Sequence, residues 1–235
     1  MFFVGTAGGG GALSSALSAV LLTGVILLGI GATFLVTRLL SQTLLKGVPS
    51  SFTLELPPYR RPQIGRVIVR SICDRTLFVL KRAAVVATPA GAVLWLMANV
   101  TVGDLSLLHH CAGFLDPFAR LIGLDGVILT AFLLGFPANE IVLPILLMAY
   151  LAEGSLLELG SLDAMKTLLV SNGWTGTTAL CTMLFSLFHW PCSTTVLTIK
   201  KETGSWKWAA LSCLIPTVLG LTVCFLVASV SRMFG

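Results

Sequence analysis

Charge is what this sequence has least of. Asp, Glu, Lys and Arg together make up 11% of its 235 residues, less than half the roughly 25% of a soluble domain. A surface so poor in charge does not stay dissolved. Residues 1–37, 83–103, 167–199 and 208–231 carry no charge at all, and each stretch matches the roughly 20 apolar residues that cross a bilayer. The chain also lacks a G-x-x-x-x-G-K-[ST] phosphate loop and a strand-linked G-x-G-x-x-G. A G-x-S-x-G elbow and an H-E-x-x-H helix are missing too, so nucleotide hydrolysis and the common hydrolase chemistries are not expected of this chain. None of its six cysteines forms a C-x-x-C pair, and four lie in apolar stretches, which argues against a disulfide framework or a zinc knuckle. No basic residue precedes the first apolar run, which speaks against a signal peptide.

What is present is apolar. Hydrophobic residues reach 56% and the mean hydropathy is +0.96, so the expected class is an all-α integral membrane protein in one membrane domain. The net charge of +5 does not indicate a nucleic-acid partner: nine of the 15 Lys and Arg lie between Arg38 and Arg82, beside apolar spans. That is the signature of a cytoplasmic loop. The sequence reads as a first span over Leu13–Val36 and a Pro-rich connector within residues 1–62. A gate-like region over 63–235 follows. It starts with a basic amphipathic stretch at 64–82, where Arg66, Arg70 and Asp74 recur every four residues. A second span covers 83–102 and a terminal span 208–230, and a short surface helix is expected near Phe114–Leu121.

Two segments between these spans are unusual. Residues 126–152 form two apolar halves that meet at Gly135-Phe136-Pro137, each half too short to cross. Residues 174–199 are interrupted at His189-Trp190-Pro191-Cys192. Lys200, Lys201 and Lys207 place the end of the second segment in the cytoplasm. Glu153, Glu158 and Asp163 against a single Lys166 place residues 153–173 outside, as the acidic character of 103–125 does for that loop. The segment between two outside loops must enter and leave on one side. A re-entrant hairpin over 126–152 and a broken helix over 174–199 follow.

Irregular backbone at membrane depth survives only where protein or a water-filled cavity satisfies it, and transporters line substrate sites with such breaks. The helix breaks are Gly135, Pro137 and Pro191. Glu140 is the sole acid between Asp125 and Glu153. It reads either as a functional intramembrane charge or as a carboxylate favoured by the dipole of the half-helix that Pro137 starts. Asn139 beside it has a weaker claim. Pro191 leaves the Leu187 carbonyl without a helical partner, close to the His189 imidazole and the Cys192 thiol, groups that borderline-soft divalent metals accept. Both side chains equally suit packing. Cys181 and Met183 are weaker soft-ligand candidates upstream.

Four segments carry a family resemblance: TLLKGVPSSFTLELPPYRRP (43–62), FVLKRA (78–83), GFPANEIVLP (135–144) and LFHWPCSTTVLTIKKETGSWKW (187–208). Together they are similar to the C-terminal membrane half of the ferrous iron transport protein B family. The resemblance implies a permease part for Fe²⁺ in the bacterial cytoplasmic (inner) membrane, with no cofactor of its own. Cys192 matches the cysteine of the second gate motif and Glu140 the acid of the PANE segment. It also implies a GTP-binding domain and a first gate repeat supplied upstream or by another chain, with this chain a fragment or a split-gene product; a homo-oligomer stays open. A transporter of another solute such as a nucleoside, and a non-transporting scaffold or truncated remnant, are the alternatives.

Overall fold

In a computed structural model of the protein, the structure describes residues 12–43, 63–70, 76–151 and 162–234. Two units are taken separately, one of residues 20–82 and one that contains residues 83–235. Helix α1 (Ala12–Gln42) has no polar face: its span Ala16–Gln42 is strongly apolar up to Arg38 and none of it is buried, the pattern of a helix whose solvent is lipid. It runs past the expected end at Val36, because Leu39 and Leu40 continue the apolar run. The Thr43 hydroxyl closes the last turn on the Leu39 carbonyl at 2.6 Å. Helix α2 covers Ile64–Arg70 and α3 covers Leu77–Asn99, so the second span begins in helix at Leu77 rather than Ala83. Residues 44–62 and 71–75, including the connector, Cys73 and Asp74, lie outside the described residues.

In the larger unit α3 continues through Pro89 to Asn99. A two-stranded ribbon, β1 (Thr101–Val102) with β2 (Leu105–Ser106), turns at Gly103 and leads into α4 (Leu107–Leu121). The sequence suggested only a short helix from Phe114. The helix starts earlier because Ser106 caps it, its hydroxyl accepting from the His109 amide. After α4 the chain bends by 110° into α5 (Gly126–Leu134). Gly126 makes the bend: a Cβ there would fall 1.9 Å from the Ala112 carbonyl oxygen, and its amide donates to Asp116 at 3.1 Å.

Helices α5 and α6 (Val142–Leu151) form the hairpin expected from the charge pattern. Their open ends meet where the Tyr150 hydroxyl donates to the Asp125 carboxylate. That carboxylate also caps α5 by accepting from the Ile128 amide at 2.7 Å. At about 1.5 Å per residue each arm is about 15 Å long, half of a ~30 Å hydrocarbon core. Trp174, just before α8 (Gly176–Phe188), donates from Nε1 to the Tyr150 hydroxyl at 2.7 Å. One hydroxyl thus ties both hairpin arms to the start of α8. Helix α7 (Leu162–Ser171) precedes this corner.

After α8 the chain breaks and resumes as α9 (Ser193–Thr203), closes at left-handed Gly204, and returns as α10 (Trp206–Phe234). The return is antiparallel: Thr177 meets Ser231, Cys181 meets Cys224, and Phe188 meets Gly220. At Gly220 a Cβ would stand 3.0 Å from that of Phe188, so glycine lets α10 approach the end of α8 closely.

Tyr150→Phe removes the hydroxyl that joins three elements while leaving the ring. It should lower stability by about 1 kcal/mol by taking one hydrogen-bond partner each from Asp125 and Trp174, read as a lower midpoint of thermal unfolding in detergent. An unchanged midpoint would mean that the corner is held by packing alone.

Candidate functional site

The break in the crossing helix is wider than a proline kink. The His189 amide closes α8 on Phe185 at 2.7 Å, and the backbone then runs extended at His189 (ψ 174°). Pro191, with no N–H to offer, cannot bridge back. Cys192 is extended as well (ψ 155°) and stands at the N-cap of α9, its carbonyl accepting from the Thr195 and Val196 amides. Facing the break is the hairpin tip. It turns on Gly135, whose missing Cβ would lie 2.3 Å from a Val142 methyl, and passes Pro137 into a 3-10 turn over Asn139–Ile141.

Tip and break are joined by Ser193. Its amide donates to the Phe136 carbonyl at 2.8 Å and its hydroxyl to the Pro137 carbonyl at 3.3 Å. The tip carbonyls that no helix can use are thereby satisfied by the first residue of α9. Around this contact the Phe132 ring packs on Phe185 and on the His189 imidazole, with centroids 4.9 and 5.1 Å apart. An apolar groove of about 590 Å³, lined by Leu133, Phe136, Trp190, Cys213, Leu214 and Thr217 among others, opens beside the tip. The polar groups are therefore concentrated at the tip–break contact itself.

Three polar atoms there are buried without a hydrogen-bond partner: Asn139 Oδ1, His189 Nε2 and Trp190 Nε1. His189 is the most informative. Its Nδ1 lies 2.8 Å from the Ser186 carbonyl, which can only accept, so Nδ1 carries the proton and Nε2 presents a bare lone pair. An imidazole oriented through one nitrogen and open at the other is the usual arrangement of a metal-ligating histidine. Cys192 is half-buried, with the Thr194 and Thr195 hydroxyls each 3.1 Å from its sulfur.

The other candidates fall differently. Glu140 sits on the 3-10 turn with its side chain exposed. Cys181 is fully buried against α10, its carbonyl accepting from Cys224, so it does not line the break. Met183 is half-buried on α8. Among the described residues no three His, Cys, Asp or Glu side chains stand close enough to hold one ion. The sites at the breaks are neighbours through Ser193 rather than through a shared cage. Neither Ser193 nor Trp190 was singled out from sequence as a site residue. For Ser193 the reason is that a contact 56 residues away leaves no local signal.

A half-length hairpin seated on the break of a crossing helix defines a helical, multi-pass membrane gate domain. Residues 80–206, α3 through the start of α10, match the family model described as "Nucleoside recognition" gate, and residues 22–73 match "Ferrous iron transport protein B C terminus". The chain belongs to the ferrous iron transport protein B family, as its C-terminal membrane region. It is similar to the Fe(2+) transporter FeoB of Staphylococcus aureus (strain MSSA476), 30% identical over 215 residues that cover 88% of this chain and 31% of that protein. The Fe(2+) transporter FeoB of Leptospira interrogans serovar Lai is 26% identical, covering 90% of this chain and 33% of the relative. That of Methanocaldococcus jannaschii is 23% identical, covering 95% and 34%. The chain thus spans about a third of the length of these curated relatives. No solved structure matches it.

Ser193→Ala removes one of the two bonds to the tip and should cost about 1 kcal/mol, with Ser193→Thr restoring it. Faster hydrogen exchange at residues 135–141 in the alanine variant alone is the expected reading. Equal exchange in all three proteins would show that the hydroxyl does not hold the tip.

Proposed function

We propose that this chain forms one gate of a permease that takes up ferrous iron across the bacterial cytoplasmic membrane. A GTP-binding domain and a first gate repeat are supplied by another chain or by further sequence. The observation that carries the reading is the buried, unpartnered Nε2 of His189 at the break. Nearly all buried polar groups in proteins are satisfied, and an orphan calls for an absent water or ion. A hydrated cation cannot enter hydrocarbon, so its path must exchange water for fixed ligands, few enough to release it again. Cys192 and His189 serve as the ligands, with the Asn139 amide oxygen and the Leu187 carbonyl as weaker ones. Glu140 supplies negative charge from the tip. The ion is substrate, and the chain needs no resident cofactor. GTP hydrolysis, where the complete system performs it, belongs to the partner domain.

A nucleoside permease finds less support, since the polar atoms at the break are an imidazole, a thiol and an amide, and the relatives above are all named as Fe(2+) transporters. The test is uptake of labelled ferrous iron by cells in which this chain replaces the C-terminal third of a full-length relative. His189→Ala and Cys192→Ser should each lower uptake by about tenfold, the scale on which perturbed metal contacts act. Glu140→Gln should lower it by removing charge without changing shape. All variants should reach the membrane in equal amount. Unchanged uptake in both the His189 and Cys192 variants would sink the pathway.

The same reading fixes a sidedness for the larger unit. Residues 103–125 and 153–173 lie outside and 200–207 in the cytoplasm, with the hairpin entering from outside as far as the break. In a cysteine-free background, Asp163→Cys should react with an impermeant maleimide added to intact cells and Glu202→Cys should not. The reverse pattern would replace the hairpin by a full crossing.

A further inference from the structure

Cys181 and Cys224 form an unassigned pair between α8 and α10, each sulfur directed at the backbone of the other residue. Both residues are 0% exposed. The Cys224 sulfur lies 3.3 Å from the Cys181 carbonyl oxygen and the Cys181 sulfur 3.9 Å from that of Cys224. Such reciprocal contacts arise where two antiparallel helices cross with the paired side chains on one level. A third element closes over them: Gly123 is left-handed (φ 75°), and a Cβ there would stand 2.7 Å from the Cys181 sulfur and 3.0 Å from the Ala228 methyl. Glycine at 123 thus leaves the space that the Cys181 sulfur occupies beside α10. Sequence offered no hint of this, since the two lie 43 positions apart in separate apolar stretches.

We infer that Cys181 and Cys224 are a two-electron oxidation site, closing a disulfide that staples α8 to α10. The pair sits among apolar side chains, so its oxidant is a small, membrane-permeant two-electron acceptor rather than a bulky protein disulfide. Both S–H bonds break and one S–S bond forms. The two electrons and two protons pass to the acceptor, which leaves as its dihydro form. With a diazene dicarboxamide, one sulfur first adds to nitrogen. The second then attacks that sulfur and expels the hydrazine. The staple acts on the side of α8 that packs against α10 at Phe188 and Gly220, next to the break, so it holds the upper half of the broken helix fixed while leaving Cys192 free.

The test uses the full, unsubstituted chain in detergent, treated with the diazene diamide, quenched with an alkylating reagent and digested. Mass spectrometry should find the peptides of Cys181 and Cys224 joined, two hydrogens lighter than their sum, with reductant restoring two alkylated thiols. Oxidation should also raise the midpoint of thermal unfolding, because the bond closes a loop of the unfolded chain, and Cys224→Ala should abolish that rise. Two alkylated thiols after oxidation, or linkage to a second copy of the chain instead, would overturn the inference. So would an equal rise in midpoint in Cys224→Ala.

Discussion

A peptide group inside hydrocarbon has no water to bond, and the two interrupted segments of this chain are arranged around that constraint. The hairpin tip leaves the Phe136 and Pro137 carbonyls without helical donors, while the restart at α9 leaves the Ser193 amide without an acceptor. Bringing tip to break cancels both deficits in one contact. Each defect alone would cost several kcal/mol in lipid. The hairpin can therefore turn, and the neighbouring helix can open, only because tip and break lie side by side.

The remaining architecture serves that register. The Asp125–Tyr150–Trp174 corner fixes the outer ends of the hairpin and of α8, and about 20 Å of α8 then sets the depth of the break. Glycines at 126, 135 and 220 stand where backbones come too close for a Cβ or nearly so. Between lipid-soluble helices the attraction comes from close packing and interhelical bonds rather than from water exclusion. At the seam of α8 and α10 the small residues Gly220 and Ala228 and the thiols of Cys181 and Cys224 allow that close approach. Among the described residues, the buried side-chain atoms left without a hydrogen-bond partner, Asn139 Oδ1, His189 Nε2 and Trp190 Nε1, all lie on the tip or the break.

Much of this was legible residue by residue. Eleven-residue apolar halves around Gly135 and Pro137, between loops of the same charge character, require a hairpin. Pro191 within residues 174–199 requires a break. His189 and Cys192 stand out because polar groups at such a break are costly. Less legible was the extent of α4, whose early start depends on the Ser106 cap, and the start of α3 at Leu77, where a helix simply continues through Lys81 and Arg82. The relative standing of the site residues also changed. Cys181 read as part of a soft-ligand line and is instead locked into the α8–α10 packing, while Glu140 is exposed on the tip.

Composition and charge order, taken alone, determined that the chain is a helical membrane protein and which of its apolar segments are interrupted. Those properties depend on transfer free energies and backbone valence, which act at each residue independently of its distant neighbours. Only the tertiary structure decided that tip and break meet at Ser193, that the Ser186 carbonyl holds the proton of His189 on Nδ1, and that Cys181 faces Cys224. Each of these joins atoms whose pairing depends on helix direction, rotation and depth. No local pattern encodes those three quantities, because lipid rewards every apolar face equally and leaves the choice among them to packing.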